Sequence, residues 1–359
     1  MREDLFWLGF SAFPGVGPKK FAVLLATFGS ACGAWNGETR VLSEVLGEKL
    51  ASKFIDFRQT FSPEAYAQKL ISRHIAYVLL KDDTYPHLLQ QISTAPFVLY
   101  IKGNKQLVSD RKKHTIGIVG ARRHSMYGLE VTQKITTELV QSGVVIVSGL
   151  ALGIDAIAHE TTIDLGGETI AVLGCGVDCC TPYTNQKIYD RILEQGGAIV
   201  SESAFGMGAS KGIFPSRNRI IAGLSEGVVV TEGSEDSGAL ITAENAKKFA
   251  RPVFAVPGPI TSNLAGGPMK LLHDGAKVIG SGQDVLMALG LDSISYNRTA
   301  LPEGDTKTEQ AIIDALSKES MYLDMLARNL NQDSASISST LSEMELKGVV
   351  RSIGGKFSL

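Results

Sequence analysis

The run Val144-Val145-Ile146-Val147-Ser148-Gly149-Leu150-Ala151-Leu152-Gly153-Ile154-Asp155 passes from continuous apolar residues into a glycine-rich turn. A strand that is apolar at every position, without alternation, is buried on both faces. Runs of this kind begin at Ile116, Val144, Thr169, Ala198, Gly227, Val253 and Lys277, 24 to 29 residues apart. That spacing is near the length of one strand-helix unit. The gaps carry helical patterns: Gly128–Gln141, with Val131, Ile135 and Leu139 on one stripe, and Ser237–Ala250, with Leu240 and Ile241 inward. The alternation predicts an α/β fold, an extended Rossmann-like, mainly parallel sheet with helices on both faces.

In such sheets ligands bind outside the carboxyl ends of the strands. Those ends read Val119-Gly120-Ala121-Arg122-Arg123, Ser148 to Asp155, Leu173-Gly174-Cys175-Gly176, Ser201-Glu202-Ser203, Thr231-Glu232-Gly233 and Val256-Pro257-Gly258. Glycine recurs among them and lets backbone approach a ligand closely. Between the fourth and fifth ends lies Ile213-Phe214-Pro215-Ser216-Arg217-Asn218-Arg219-Ile220-Ile221-Ala222-Gly223-Leu224. Pro215 presets a turn, and a helix is predicted from Asn218 with Ile220, Ile221 and Leu224 inward. Arg217 and Arg219 then stand in its first turn, at the positive end of the helix dipole, where an anion is needed to balance them. With Lys211 and Arg122 they are expected to converge on one crevice, and cations beside Phe214 suit a phosphate backbone and a stacked base. Taken alone, the same segment reads as a surface helix whose arginines pair with local carboxylates. Asp155, Glu202 and Glu232 on the rim read as groups that orient the arginines and glycine loops, with an acid–base set as the alternative.

The chain divides by pattern into a small helical domain over 1–65, the α/β domain over 66–292, and a C-terminal module over 303–359. In the first, Phe13-Pro14-Gly15-Val16-Gly17-Pro18-Lys19-Lys20-Phe21 precedes a helix over Phe21–Phe28. A Gly-x-Gly turn between helices exposes amides that can hold a phosphate, with Lys19 and Lys20 adding charge. It resembles a helix-hairpin-helix motif; a tight turn in a helical bundle reads equally well. Ile75–Leu80 and Pro96–Ile101 are predicted edge strands. After a linker over Leu291–Thr308, helices are predicted at Glu309–Leu316, Leu323–Asn329 and Ser334–Lys347, then a hairpin through Gly354-Gly355. That is a winged helix. From Glu303 to Leu359 nine acids face six bases, so it is expected to contact protein rather than read base edges.

Net charge is −2 over 359 residues, so any nucleic-acid site is a local patch. Cys32, Cys175, Cys179 and Cys180 form no C-x-x-C pair and read as free thiols in a reducing compartment. No matching histidine pair accompanies them, so no metal site is expected. No apolar run reaches the ~20 residues of a membrane span, and a secretory leader pattern is missing. The expectation is a cytoplasmic protein. No G-x-G-x-x-G follows the first strand, which argues against a dinucleotide cofactor. His159 and His273 stand alone and read as structural, and Ser125 and Ser148 lack a nucleophile context.

Ile118–Arg122, Val147–His159, Phe214–Leu224, Ser237–Ala243 and Phe254–Gly258, in this order, resemble the DNA-processing protein A (DprA/Smf) family. The resemblance implies a non-enzymatic single-stranded-DNA-binding protein without cofactors. It would protect incoming DNA in natural transformation, load the recombinase RecA, and form a homodimer through the Rossmann domain. It implies DNA contacts from Arg122, Lys211 and Phe214, with Gly120 and Gly149 as close-approach backbone, beside Arg217, Asn218 and Arg219. Two positions depart from the family: Leu152 stands where arginine is usual, and Thr181-Pro182 where tyrosine-proline is usual. The alternative is a nucleotide-processing enzyme of the lysine-decarboxylase-like phosphoribohydrolase group, its phosphate on Ser237 and Gly238 and its acid Glu244.

Overall fold

The computed structural model describes residues 2–208, 213–291, 304–317, 320–353 and 355–358, with backbone alone for 213–215, 353 and 358. Contacts group the chain into two compact units, Met1–Ile294 and Ser295–Leu359.

The larger unit opens with helices α1 (Glu3–Ala12), α2 (Pro18–Phe28), α3 (Ala31–Trp35), α4 (Thr39–Leu46), α5 (Glu48–Thr60) and α6 (Pro63–Ser72). Helix α2 begins at Pro18 rather than Phe21, because proline lacks only an amide that the first turn leaves unbonded anyway. Lys19 and Lys20 therefore belong to that first turn, and both are exposed. Gly15 takes φ +105 in the preceding turn, which favours glycine. The aromatic interior of these helices, including Phe10, Phe21, Trp35 and Phe54, is continuous with Tyr100 and Leu173 of the sheet. Helices and sheet share one core.

There follow β1 (Ile75–Leu79), α7 (His87–Gln90), β2 (Val98–Gly103), α8 (Lys105–Ser109), β3 (Thr115–Val119), α9 (Met126–Gln141), β4 (Val145–Ser148), α10 (Ile154–Asp164), β5 (Thr169–Leu173), α11 (Gln186–Glu194), β6 (Ala198–Ser201), α12 (Ile213–Leu224), β7 (Gly227–Val230), α13 (Gly238–Lys248), β8 (Val253–Ala255), α14 (Gly266–His273), β9 (Lys277–Val278) and α15 (Gly282–Leu289). The strand order is β1-β2-β6-β5-β4-β3-β7-β8-β9. From β6 to β9 neighbours are parallel, while β1 and β2 join antiparallel at one edge. Strand β3 pairs with β4 on one side and β7 on the other, so the chain reverses direction across the sheet there and opens a crevice between them.

One face is covered by α12 and α13 through Ile220, Ile221, Leu240 and Ala243. The other is covered by α9, α10 and α15 through Ile135, Leu139, Ile157 and Val285. Each fully buried Ile or Leu contributes roughly 1.5–3 kcal/mol relative to exposure. Ile241, expected inward, is 36% exposed. Leu240 and Ala243 already hold the core stripe, and the next position along a helix is turned ~100° away from Leu240. Helix α12 starts at Ile213, not Asn218. Proline at its third position is tolerated, since a first-turn residue needs no amide.

The smaller unit contains α16 (Lys307–Leu316), β10 (Met321–Tyr322), α17 (Leu323–Leu330), α18 (Ser334–Leu346), β11 (Arg351–Ile353) and β12 (Lys356–Ser358). Its strands order β10-β12-β11 around a core of Ile312, Leu326, Ile337 and Leu341. This is a winged helix whose third strand, β10, is too short to show as a sequence pattern. No described helix is long and apolar enough to cross a membrane.

Candidate nucleic-acid interface

The crevice at the β3–β7 reversal is an open cleft of about 410 Å³. Its walls are the Gly120–Arg123 turn after β3, Ala151 and Asp155 after β4, Arg217, Asn218 and Ile221 of α12, and residues between Ser234 and Thr242 leading into and along α13. The amino ends of α10 and α13 both meet it. Ser237 caps α13, its Oγ accepting from the Ala239 amide at 3.3 Å, whereas Gly153 (φ 78) offers α10 no side-chain cap. First-turn amides without intrahelical partners, at the positive ends of two helix dipoles, make an anion site. Arg122 and Arg123 are exposed at its mouth. Asp236 faces them from the far wall; a hydrogen bond from the Ser234 side chain is the main cause holding its carboxyl below the usual value.

The two arginines of α12 do different work. Arg217 is 6% exposed and forms part of the cleft floor, its Nη1 donating to the carbonyls of Gly149 and Val172. Its Nε donates to Asn218 Oδ1 at 3.1 Å, and the Asn218 amide donates to the Gly238 carbonyl at 3.0 Å. Arginine and asparagine together clamp α12 to the ends of β4, β5 and α13. Burial pulls the Arg217 guanidinium below its usual range, opposed by the charge of Asp155. The same burial pushes the Asp155 carboxyl up, opposed by Arg217 and by the amides of Ala151 and Gly149. Arg219 is ion-paired with Glu202, its side chain 12% exposed.

Arg217 thus reaches the crevice as expected, but as a largely buried residue bonded to carbonyls, while Arg219 is not among the described residues that line it. Helix α12 starts earlier than its proline suggested, so Arg217 sits beyond the first turn and its balancing anion is Asp155. For Arg219 the plain reading, pairing with a local carboxylate, is the observed one. The glycines answer to an internal constraint as well. A Cβ on Gly149 would collide with the Arg217 guanidinium, and one on Gly120 would lie 2.6 Å from Ile154 Cγ1. Internal packing therefore already demands both glycines.

The rim carboxylates are engaged as orienting groups. Asp155 Oδ2 accepts the Gly149 amide at 3.1 Å, and Glu232 accepts from Ser125 N and Oγ at 2.9 and 2.5 Å. His159 is fully buried, its Nδ1 2.7 Å from Thr169 Oγ1, and burial first, then Arg217, brings its pKa down to about 3. Glu244 is exposed on α13. Lys211 lies outside the described residues, as does the side chain of Phe214. Sequence reading left out Arg123, Ser234 and Thr242 as cleft walls; the first two fall within or directly after a strand-end segment, which was the available signal, whereas Thr242 lies inside α13.

The glycine turn ahead of Lys19 and Lys20 reaches the same rim. A small cavity of about 60 Å³ is lined by Val16, Gly17 and Pro18, by Pro96 to Val98 at the start of β2, and by Glu202 after β6. Because β2 runs antiparallel to β6, its first residues meet the carboxyl end of β6.

A family model for DNA recombination-mediator protein A matches residues 76–290, and one for the DprA winged helix domain matches 297–356. Protein Smf of Synechocystis is 38% identical over 325 residues, 90% of this chain and 79% of that protein. DNA processing protein DprA of Bacillus subtilis is 43% identical over 212 residues, 59% of this chain and 70% of its own. The X-ray structure of DNA processing protein A from Streptococcus pneumoniae superposes with TM-score 0.67 at 34% identity, covering 79% of this chain and 96% of that one. A Helicobacter pylori DNA processing protein A, in a structure concerned with its single-stranded DNA binding mode, gives TM-score 0.53 at 31% identity over 61% and 98% of the two chains.

Proposed function

The chain belongs to the DNA recombination-mediator protein A (DprA/Smf) family, and on that premise we propose that it binds single-stranded DNA along the carboxyl-end rim of its parallel sheet and loads RecA onto it. The observation that carries this reading is the cleft at the β3–β7 reversal, where exposed Arg122 meets the amino ends of α10 and α13. A phosphate there gains a charge-assisted bond and two helix dipoles without sequence-specific contacts. Arg217, Asn218 and Arg219 hold the loops that shape the cleft. Lys211 adds a second phosphate contact and Phe214 a base contact, while Lys19 and Lys20 take the strand further along the rim. The role is binding rather than catalysis: Asp155, Glu202 and Glu232 are committed to amides, an arginine and a helix cap. The protein works in the cytoplasm as a homodimer through the larger unit, in transformation or general recombination, and its acidic winged helix contacts protein.

Fluorescence anisotropy of a labelled poly-dT strand at two salt concentrations tests the reading. Wild type should bind tightly and weaken steeply with salt as counterions are released. The Arg122→Ala/Lys211→Ala double variant should lose most of that affinity. Failure of folded wild type to bind would overturn the reading.

A further inference from the structure

Tyr183 is 81% exposed in the turn after β5, and Leu152 is 44% exposed in the turn after β4. The two turns are tied together. The buried Asn185 amide donates to the carbonyls of Leu150 and Ala151 at 3.0 and 3.1 Å. Ala151 lines the cleft at Arg122, and the Ile154 amide donates to Ala121 O at 3.1 Å. A hydrogen-bonded path thus runs from the Arg122 turn through the Leu152 turn to the Tyr183 turn.

Sheet order fixes where these residues fall. Neighbouring strands run β3-β4-β5-β6-β2, so the rim presents Arg122, Leu152, Tyr183 and then Glu202 with the Gly15–Pro18 turn and its lysines. β3 to β6 spans three strand spacings, ~14 Å. Cations stand at both ends of this run and large apolar surface in its middle. Exposed Lys187 follows one turn after Tyr183, at the start of α11. The carboxylates nearby are occupied: Asp178 accepts the Gly206 amide at 3.1 Å, and Asp190 accepts the Gln186 side-chain amide at 2.9 Å. A lone exposed apolar residue needs no explanation. An exposed aromatic beside an exposed leucine, between two cationic ends of one rim, matches a strand whose phosphates and base faces are both in reach.

We propose that Tyr183, flanked by Leu152, is a base-stacking platform for single-stranded DNA lying on this rim, so that the strand is held by its bases between phosphate contacts at Arg122 and at Lys19 and Lys20. The inference rests on the DNA-binding reading above. It adds a selection that phosphate contacts alone cannot supply, because the base faces of a duplex are covered by their neighbours. In this chain the apolar Leu152, 44% exposed, extends the stacking surface.

The test compares wild type, Tyr183→Ala, Tyr183→Phe and Tyr183→Trp with a dT oligonucleotide and an abasic strand of the same length. Tyr183→Ala should weaken dT binding by roughly ten-fold, the size of one lost aromatic stack, and leave abasic binding unchanged. Tyr183→Phe should keep wild-type affinity for both. The indole of Tyr183→Trp should be quenched by dT and not by the abasic strand, against a constant background from buried Trp7 and Trp35. Equal dT affinity for Tyr183→Ala and wild type would overturn the platform and leave the DNA-binding reading standing. So would equal losses on dT and abasic strands. No dT binding by folded wild type would overturn both.

Discussion

Two sets of cations meet at the β3–β7 crevice, and burial separates them. Arg217 is 6% exposed, bonded to two carbonyls and balanced by Asp155, and Arg219 is paired with Glu202. Arg122, on the turn above, is exposed at the mouth of the cleft. Desolvating a guanidinium is costly, so a buried one leans on partners within the protein. Bonds to the protein's own carbonyls and carboxylates leave such a residue fewer donors for a ligand, although Arg219 Nη1 is buried without a partner among the described residues. Proximity to a site therefore does not make a charge part of it. On the proposed reading the lower layer is scaffold, and the upper one meets the strand.

The largest expected effect comes from cutting the lower layer. Arg217→Ala strands the Asp155 carboxylate and the Gly149 and Val172 carbonyls, and should cost ~3–5 kcal/mol in urea unfolding. If that variant kept full stability and lost only DNA affinity, the division between layers would be broken. Next in size is acid sensitivity centred on His159, whose folded pKa lies near 3 against an ordinary 6.5. The unfolded chain takes up this proton first, so the contribution is whole above pH 6.5 and lost as pH falls from 6.5 toward about 3. Its size is on the order of 5 kcal/mol at most. His159→Gln should flatten the stability profile across that window; an unchanged slope would remove His159 from the account.

Gly149→Ala pushes a methyl group into the Arg217 guanidinium and should cost ~1–3 kcal/mol. A tight fit to DNA, rather than to Arg217, would instead lower affinity and leave unfolding unchanged. The smallest stability effect is at Arg122. Arg122→Ala should change unfolding by no more than ~0.5 kcal/mol while weakening DNA binding.

Much of the fold was legible because buried parallel strands announce themselves as unbroken apolar runs. The predicted starts at Thr169, Ala198, Gly227, Val253 and Lys277 are the observed ones, and those at Ile116 and Val144 differ by one residue. The site was less legible, since charge pattern gives location and not depth. A signal for Arg217 was nevertheless present. It lies three residues before Ile220, four before Ile221 and seven before Leu224, on the buried stripe of a helix that continues upstream. Treating Pro215 as the entry cut the stripe short. Tyr183 gave no comparable signal, because the exposure of a turn aromatic is set by neighbours distant in sequence.

The most direct measurement is the slope of log affinity for poly-dT against log salt concentration, for wild type and Arg122→Ala. If Arg122 holds a phosphate, the variant's slope should be shallower by ~0.7, the release of one counterion from a single strand, with thermal unfolding unchanged. Identical slopes and affinities for two equally stable proteins would contradict the account, because the exposed layer would then carry no contact with the strand.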